Sequence, residues 1–169
     1  MNKVRKLDKN GLLLCDLQAK TFEAAVDMTS TSSEIFIRRF MNSRIVKSMD
    51  DISILQRNVY EKDILERIEE EYGKSQYGSV KYSNNEMYWI GYIYRYFAYV
   101  YRLSSIQVYK IVKPKELRGL FIPYHTMDPA QAIERILEAK GMLTDNETEL
   151  NRQFEIYKRI RSSYSRRKR

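Results

Sequence analysis

Apolar and polar residues along the chain recur mostly at helical spacing, and no stretch alternates with the period of two that a half-buried strand requires. Over Leu12 to Met28 the charged residues Asp16, Lys20, Glu23 and Asp27 fall at i, i+4, i+7 and i+11. They form one narrow polar stripe, which predicts a helix central to the core or paired with another chain. In the next segment, EIFIRRFMNSRIVKSM, Ile37, Met41 and Ile45 share a face with Phe36 and Phe40 beside them. Thr31 and Glu34 fit a capping box for this helix. Arg38, Arg39, Arg44 and Lys47 form a basic flank, which is a solvated surface or a contact surface.

Asp50-Asp51 breaks the pattern, and Asn58 with Glu61 can cap a helix striped by Ile64, Leu65, Ile68 and Tyr72. Gly73 to Asn85 reads as loop. Its Gly73-Lys74-Ser75 lacks the upstream glycine of a phosphate-binding loop, because Ile68 stands there, and it follows a helix rather than a strand. Ser83 and Glu86 then cap an aromatic helix from Met87 to about Leu103. Tyr88, Tyr92 and Tyr96 share one face of it, and Trp89, Ile93, Phe97 and Val100 the adjacent one. Tyrosines at this spacing suit half-buried packing, with base stacking as the functional alternative.

Past Val112, the spacing predicts a helical turn from Lys115 to Leu120, an extended Phe121-Ile122-Pro123-Tyr124, and a helix opened by Asp128, Pro129 and Gln131. That helix carries Ile133, Ile136 and Leu137 and ends at Gly141. Thr144 and Glu147 open a last helix with Leu150, Phe154 and Tyr157 on one stripe. The expected fold is all-α: a single-domain bundle of about six or seven helices over residues 1–160, followed by a basic tail, 161–169.

The joint within Arg95 to Val112 has the spacing of a helix-turn-helix. Ala98 is the small residue where the two helices approach, and Leu103 plugs the turn. Ser104 caps the second helix with Gln107 as its partner, and Val108 and Ile111 face inward. Ser105, Ile106, Tyr109, Lys110 and Lys113 are then expected to face out. Two readings fit: a DNA-reading unit whose second helix enters the major groove, or a plain helical corner. Arg102 stands in the turn where a positive φ makes glycine common.

Charge bears on this choice. Of the net +8, residues 152–169 hold +7, with eight Lys or Arg against Glu155 alone. The other 151 residues are close to neutral. Arg166, Arg167, Lys168 and Arg169 end the chain, either as a solvated terminus or as a phosphate-binding arm.

One cysteine, Cys15, excludes an intramolecular disulfide framework and reads as a small core residue. The polar opening MNKVRKLDKNG and the short LLLC run do not make a signal peptide. Met87 to Val100 is too short, and too interrupted by Arg95, to span a membrane. A cytoplasmic location is expected. His125, the single histidine, has Asp128 nearby in sequence but no nucleophile motif beside it. One His and one Cys far apart do not make a metal site. A non-enzymatic function without cofactor or metal is expected, with an enzyme using His125 as a remote alternative.

The segments LLLCDLQAKTFEAA, SSEIFIRRFMNS, NEMYWIGYIYRYF and SSIQVYKIVKPKELRGLFIPYHTMDPAQAIERI resemble those of a family of uncharacterised bacterial proteins, mainly from Gram-positive hosts. The similarity runs from about Leu12 to Ile160. The family is associated with operons that resemble toxin–antitoxin modules, sometimes beside an ADP-ribosyltransferase-like protein. The resemblance implies an antitoxin-like or accessory protein that binds a partner protein, and it carries no site residues. Two function classes stay open: an antitoxin that also binds operator DNA through Ser105, Gln107, Tyr109, Lys110, Lys113 and the tail, and a pure protein-interaction module.

Overall fold

A computed structural model of the chain describes residues 4–142 and 154–162. Every regular element in them is helical: α1 (Lys9–Met28), α2 (Ser33–Asn42), α3 (Arg44–Asp50), a 3-10 turn (Ser53–Gln56), α4 (Glu61–Tyr72), α5 (Asn84–Val100), α6 (Ser105–Ile111), α7 (Pro114–Tyr124) and α8 (Pro129–Ala139). Residues 154–162 are helical as well. The all-α expectation holds, with more and shorter helices than the periodicity predicts. The helix expected from Thr144 begins outside the described residues.

The long helices α1 and α5 form the axis of the bundle and run antiparallel. Gly11 of α1 lies against the Tyr99 ring, Gln18 against Gly91, and Asp27 against Asn84. Gly91 permits the close crossing: a Cβ there would stand 2.9 Å from the Gln18 carbonyl oxygen and 2.9 Å from the Phe22 ring. The same Phe22 ring meets Phe36 and Phe40 of α2 edge-on, at 5.5 and 4.8 Å between centroids. Cys15, buried and unpaired, is the small core residue its neighbours suggest.

Where the boundaries differ from the sequence pattern, a local hydrogen bond decides. The helix expected over residues 34–49 is broken at Ser43, which leaves helical geometry at ψ 162°. Its hydroxyl donates to Phe40 O at 2.7 Å and accepts from Val46 N, so one residue ends α2 and starts α3. The cap of α2 is Ser32 rather than Thr31. Glu34, the expected box partner, instead accepts from the Tyr82 hydroxyl at 2.9 Å. At α4 the backbone N–H of Tyr60 is taken by Asp63, so the cap lies there and not at Asn58. The Ser83–Glu86 box is present, but α5 stops at Val100, short of Leu103.

The stretch 121–124 is not extended. α7 runs through Pro123 to Tyr124. The bond Pro123 cannot donate would have gone to Gly119, an exposed residue in the last turns of the helix, where water can serve its carbonyl. Asp128 caps α8 by accepting from Ala130 N at 2.8 Å, and Gly141 follows the helix with φ +67°, as expected.

Candidate functional site: the α5–α6 corner and its basic surround

The corner forms where the sequence places it. Arg102 takes φ +55°, the left-handed conformation that glycine would supply more cheaply. This lets Leu103 turn inward, with its N–H on Ala98 O at 2.9 Å. Ser104 caps α6 and Gln107 returns a bond to Ser104 N at 2.8 Å. Val108 and Ile111 are buried, as predicted. Tyr94 closes the far end of the corner, its hydroxyl donating to Val112 O at 2.7 Å.

The first turn of α6 does not face out. Ser105 is wholly buried and Gln107 is 6% exposed. Beneath them lies a charged cluster that the periodicity does not reveal. Arg95, buried in α5, donates from Nε to Gln18 Oε1 at 2.8 Å and from its two terminal nitrogens to Asp50 Oδ1 at 2.8 Å and Ser105 Oγ at 2.6 Å. Asp50 also accepts from Ser105 N at 3.1 Å and from Ser105 Oγ at 2.6 Å. Gln18 completes the set by donating to Gly91 O. Helices α1, α3, α5 and α6 therefore meet at one guanidinium whose five N–H donors need partners once buried. The only sequence signals for this were a charge inside the apolar run of α5 and an aspartate at the end of α3.

Ser105 and Gln107 are thus corrected as base contacts: their side chains are used inside the domain. α6 packs on α5, α2 and α3, whereas a groove-reading helix must present its first turns to base edges. Of the remaining candidates, Tyr109 and Lys110 are half-buried and Lys113 is exposed. Lys113 Nζ sits 4.2 Å from the centre of the Tyr109 ring, a cation–π contact that covers that ring. Arg166, Arg167, Lys168 and Arg169 lie outside the described residues.

The structure does bring the C-terminal basic segment to the corner. Phe154 packs edge-on against Tyr101, and one turn pair later Arg161 donates to Ser104 Oγ at 2.6 Å. Arg161 also lines a shallow groove of about 150 Å³ together with Lys47, Asn42 and Ile106. Burial, then Arg161 and Lys113, hold Lys110 below the ordinary lysine pKa. On the other side of Ser104, Arg5, Arg102 and Asp50 line a second groove of about 240 Å³. Arg5 lies over the Tyr99 ring at 4.3 Å.

The opposite character belongs to the α1–α5 face. Leu12 and Leu13 are 50% and 47% exposed on a helix otherwise rich in core residues. Tyr92 and Tyr96 stack at 6.4 Å in the tyrosine ladder of α5. Tyr88 lies in the field of Asp16, its ion-pair partner Lys20, and Glu23, and Tyr96 in that of Asp128 and Glu134.

His125 is exposed at the end of α7, stacked on Phe121 at 4.3 Å, with Nδ1 2.7 Å from Phe121 O. That arrangement ends a helix and orients no nucleophile. Among the described residues, no three His, Cys, Asp or Glu side chains are placed to hold a metal ion, and no helix is long and apolar enough to cross a membrane. The chain matches no protein-family model and has no significant match among curated proteins or solved structures.

Proposed function

We propose that the protein is a non-enzymatic binding protein of antitoxin or accessory type, which holds a partner protein on the α1–α5 face. The observation that carries this reading is the exposure of Leu12 and Leu13 on the central helix. Leucines there add nothing to the core, and Leu12 lies on the same side of α1 as Asp16 and Glu23. Tyrosines bring large contact area at low entropic loss. Glu23, Asp128 and Glu134 near the tyrosine ladder favour a partner surface with basic groups around an aliphatic centre, while Asp16 is paired with Lys20 at 2.8 Å. The resemblance to proteins of toxin–antitoxin-like operons supports the same class of partner.

The test is co-expression with the product of the adjacent gene. The complex is expected to form with the native chain and to be lost with Leu12→Asp combined with Leu13→Asp, while the helical circular-dichroism spectrum stays unchanged. Absence of any complex with the native chain, together with no relief of the neighbour's toxicity, ends this reading. In this proposal α6 reads no base sequence.

A further inference from the structure

The two grooves at the start of α6 are neighbours. Asp50 lines both of them, and Ser104, which lines one, is bonded to Arg161 of the other. Side chains of one sign collect along this line. Arg5 and Arg102 stand on one side of Ser104, Arg161 and Lys47 on the other, and Lys110 and Lys113 continue along α6. The acids among them make bonds of their own. The Asp50 carboxylate is bonded to Arg95 and Ser105, and Asp8, near Arg5, accepts from Tyr99 and Gly11.

We infer that this track, Arg5–Arg102–Arg161–Lys47–Lys110–Lys113, is a contact surface for the phosphate backbone of duplex DNA, held without reading of base sequence. The shape of the ligand follows from what the track contains and lacks. A duplex offers one phosphate charge per about 1.7 Å of its axis, matching a line of cations rather than a pocket. Single strands are held by aromatic side chains on which bases stack. Here Tyr99 is covered by Arg5 and Tyr109 by Lys113. The half-buried tyrosine ladder of α5 lies on another face, near Asp16, Lys20, Glu23, Asp128 and Glu134. Sequence reading is absent because the first turn of α6 is spent on Arg95, Asp50 and its own cap.

Fluorescence anisotropy with the full chain tests this, using two unrelated duplexes of about 30 base pairs and one single strand of equal length, over about 50–200 mM salt. Both duplexes are expected to bind within about threefold of each other, with affinity falling as roughly the third to fifth power of salt. Lys47→Glu with Lys113→Glu is expected to weaken binding at least about tenfold and to flatten the salt dependence by about two powers. Lys47→Gln with Lys113→Gln flattens it equally and guards against a folding defect. Lys20→Glu with Lys62→Glu, outside the track, leaves affinity within about twofold. The inference is overturned by no duplex binding at the lowest salt, by equal losses in the Lys20/Lys62 control, by tighter binding of the single strand, or by binding that depends on residues 163–169 alone. Leu12→Asp with Leu13→Asp leaves these affinities unchanged, so failure of the partner reading and failure of this one are separate results.

Discussion

Asp50→Ala removes the only anionic partner that the described structure gives to Arg95. The guanidinium is 2% exposed, and the Asp50 side chain retains 19% of its surface. Two unit charges at contact distance attract by about 4 kcal/mol at an effective dielectric of 20. The residual exposure of Asp50 and the cost of desolvating both ions reduce what the pair contributes in net terms. Breaking it is another matter, because a buried charge is left without its counter-ion, and such truncations cost about 3–5 kcal/mol. Two further bonds are lost at the start of α6, from Ser105 N and Ser105 Oγ. Water reaching through the exposed edge of Asp50 offsets part of this, so a loss of about 3 kcal/mol is expected. Asp50→Asn keeps acceptors for Arg95 and Ser105 and should lose about half as much. In Asp50→Ala with Arg95→Met both charges disappear and the methionine fills much of the volume, so this double variant should be more stable than Asp50→Ala alone. Urea unfolding followed by far-ultraviolet circular dichroism, with a constant dependence on denaturant, reads all three. Additive losses in the double variant, or a loss below about 1 kcal/mol in Asp50→Ala, would refute the reasoning.

Gly91→Ala forces a methyl against the Gln18 carbonyl and Phe22 at the α1–α5 crossing, and should lower stability by about 1–3 kcal/mol in the same urea assay; an unchanged midpoint would show that the helices separate freely. Cys15 is buried and its thiol is pushed up to about 12, first by desolvation, so a thiol reagent at mildly alkaline pH should label it only at the rate of global unfolding. Rapid labelling of the native protein would contradict that packing. Arg102→Gly relieves a left-handed residue and should raise the urea midpoint by about 0.5 kcal/mol after the entropy of glycine is set against it; a lower midpoint would mean that the contacts of Arg102 outweigh its backbone strain. The Asp8 carboxyl is held below its ordinary pKa, chiefly by the Tyr99 hydroxyl and then by Gly11 N–H. A depressed folded pKa gives stability that is present above about pH 4 and is lost as pH falls through the folded value, so Asp8→Asn should shrink the acid-side drop of the unfolding midpoint and leave the midpoint flat near neutrality.

Much of the fold was legible because its determinants are local. The capping pairs at Ser83 and Ser104, the Asp128 cap and the glycine after α8 act within one turn, and each stands where the pattern placed it. The failures came where a side chain had a choice of partners that the sequence does not rank. Ser43 competes with helix continuation by bonding neighbouring backbone groups on both sides. Glu34 left its predicted cap because Tyr82, 48 residues away, offered a hydroxyl.

Sequence alone determined the all-α class, the position of the α5–α6 corner and the concentration of charge at the C-terminus, since periodicity, capping and charge count are properties of neighbouring residues. Tertiary structure decided which way the corner faces. Ser105 has the spacing of an outward residue, yet it is buried, because a guanidinium in α5 and a carboxylate at the end of α3 converge on it from 10 and 55 residues away. A buried charge must be paired wherever its partners lie in the chain, and that requirement overrides helical periodicity. The same long-range packing carries Arg161 to Ser104 and joins the basic C-terminal segment to a corner that has Arg102, Lys110 and Lys113 of its own.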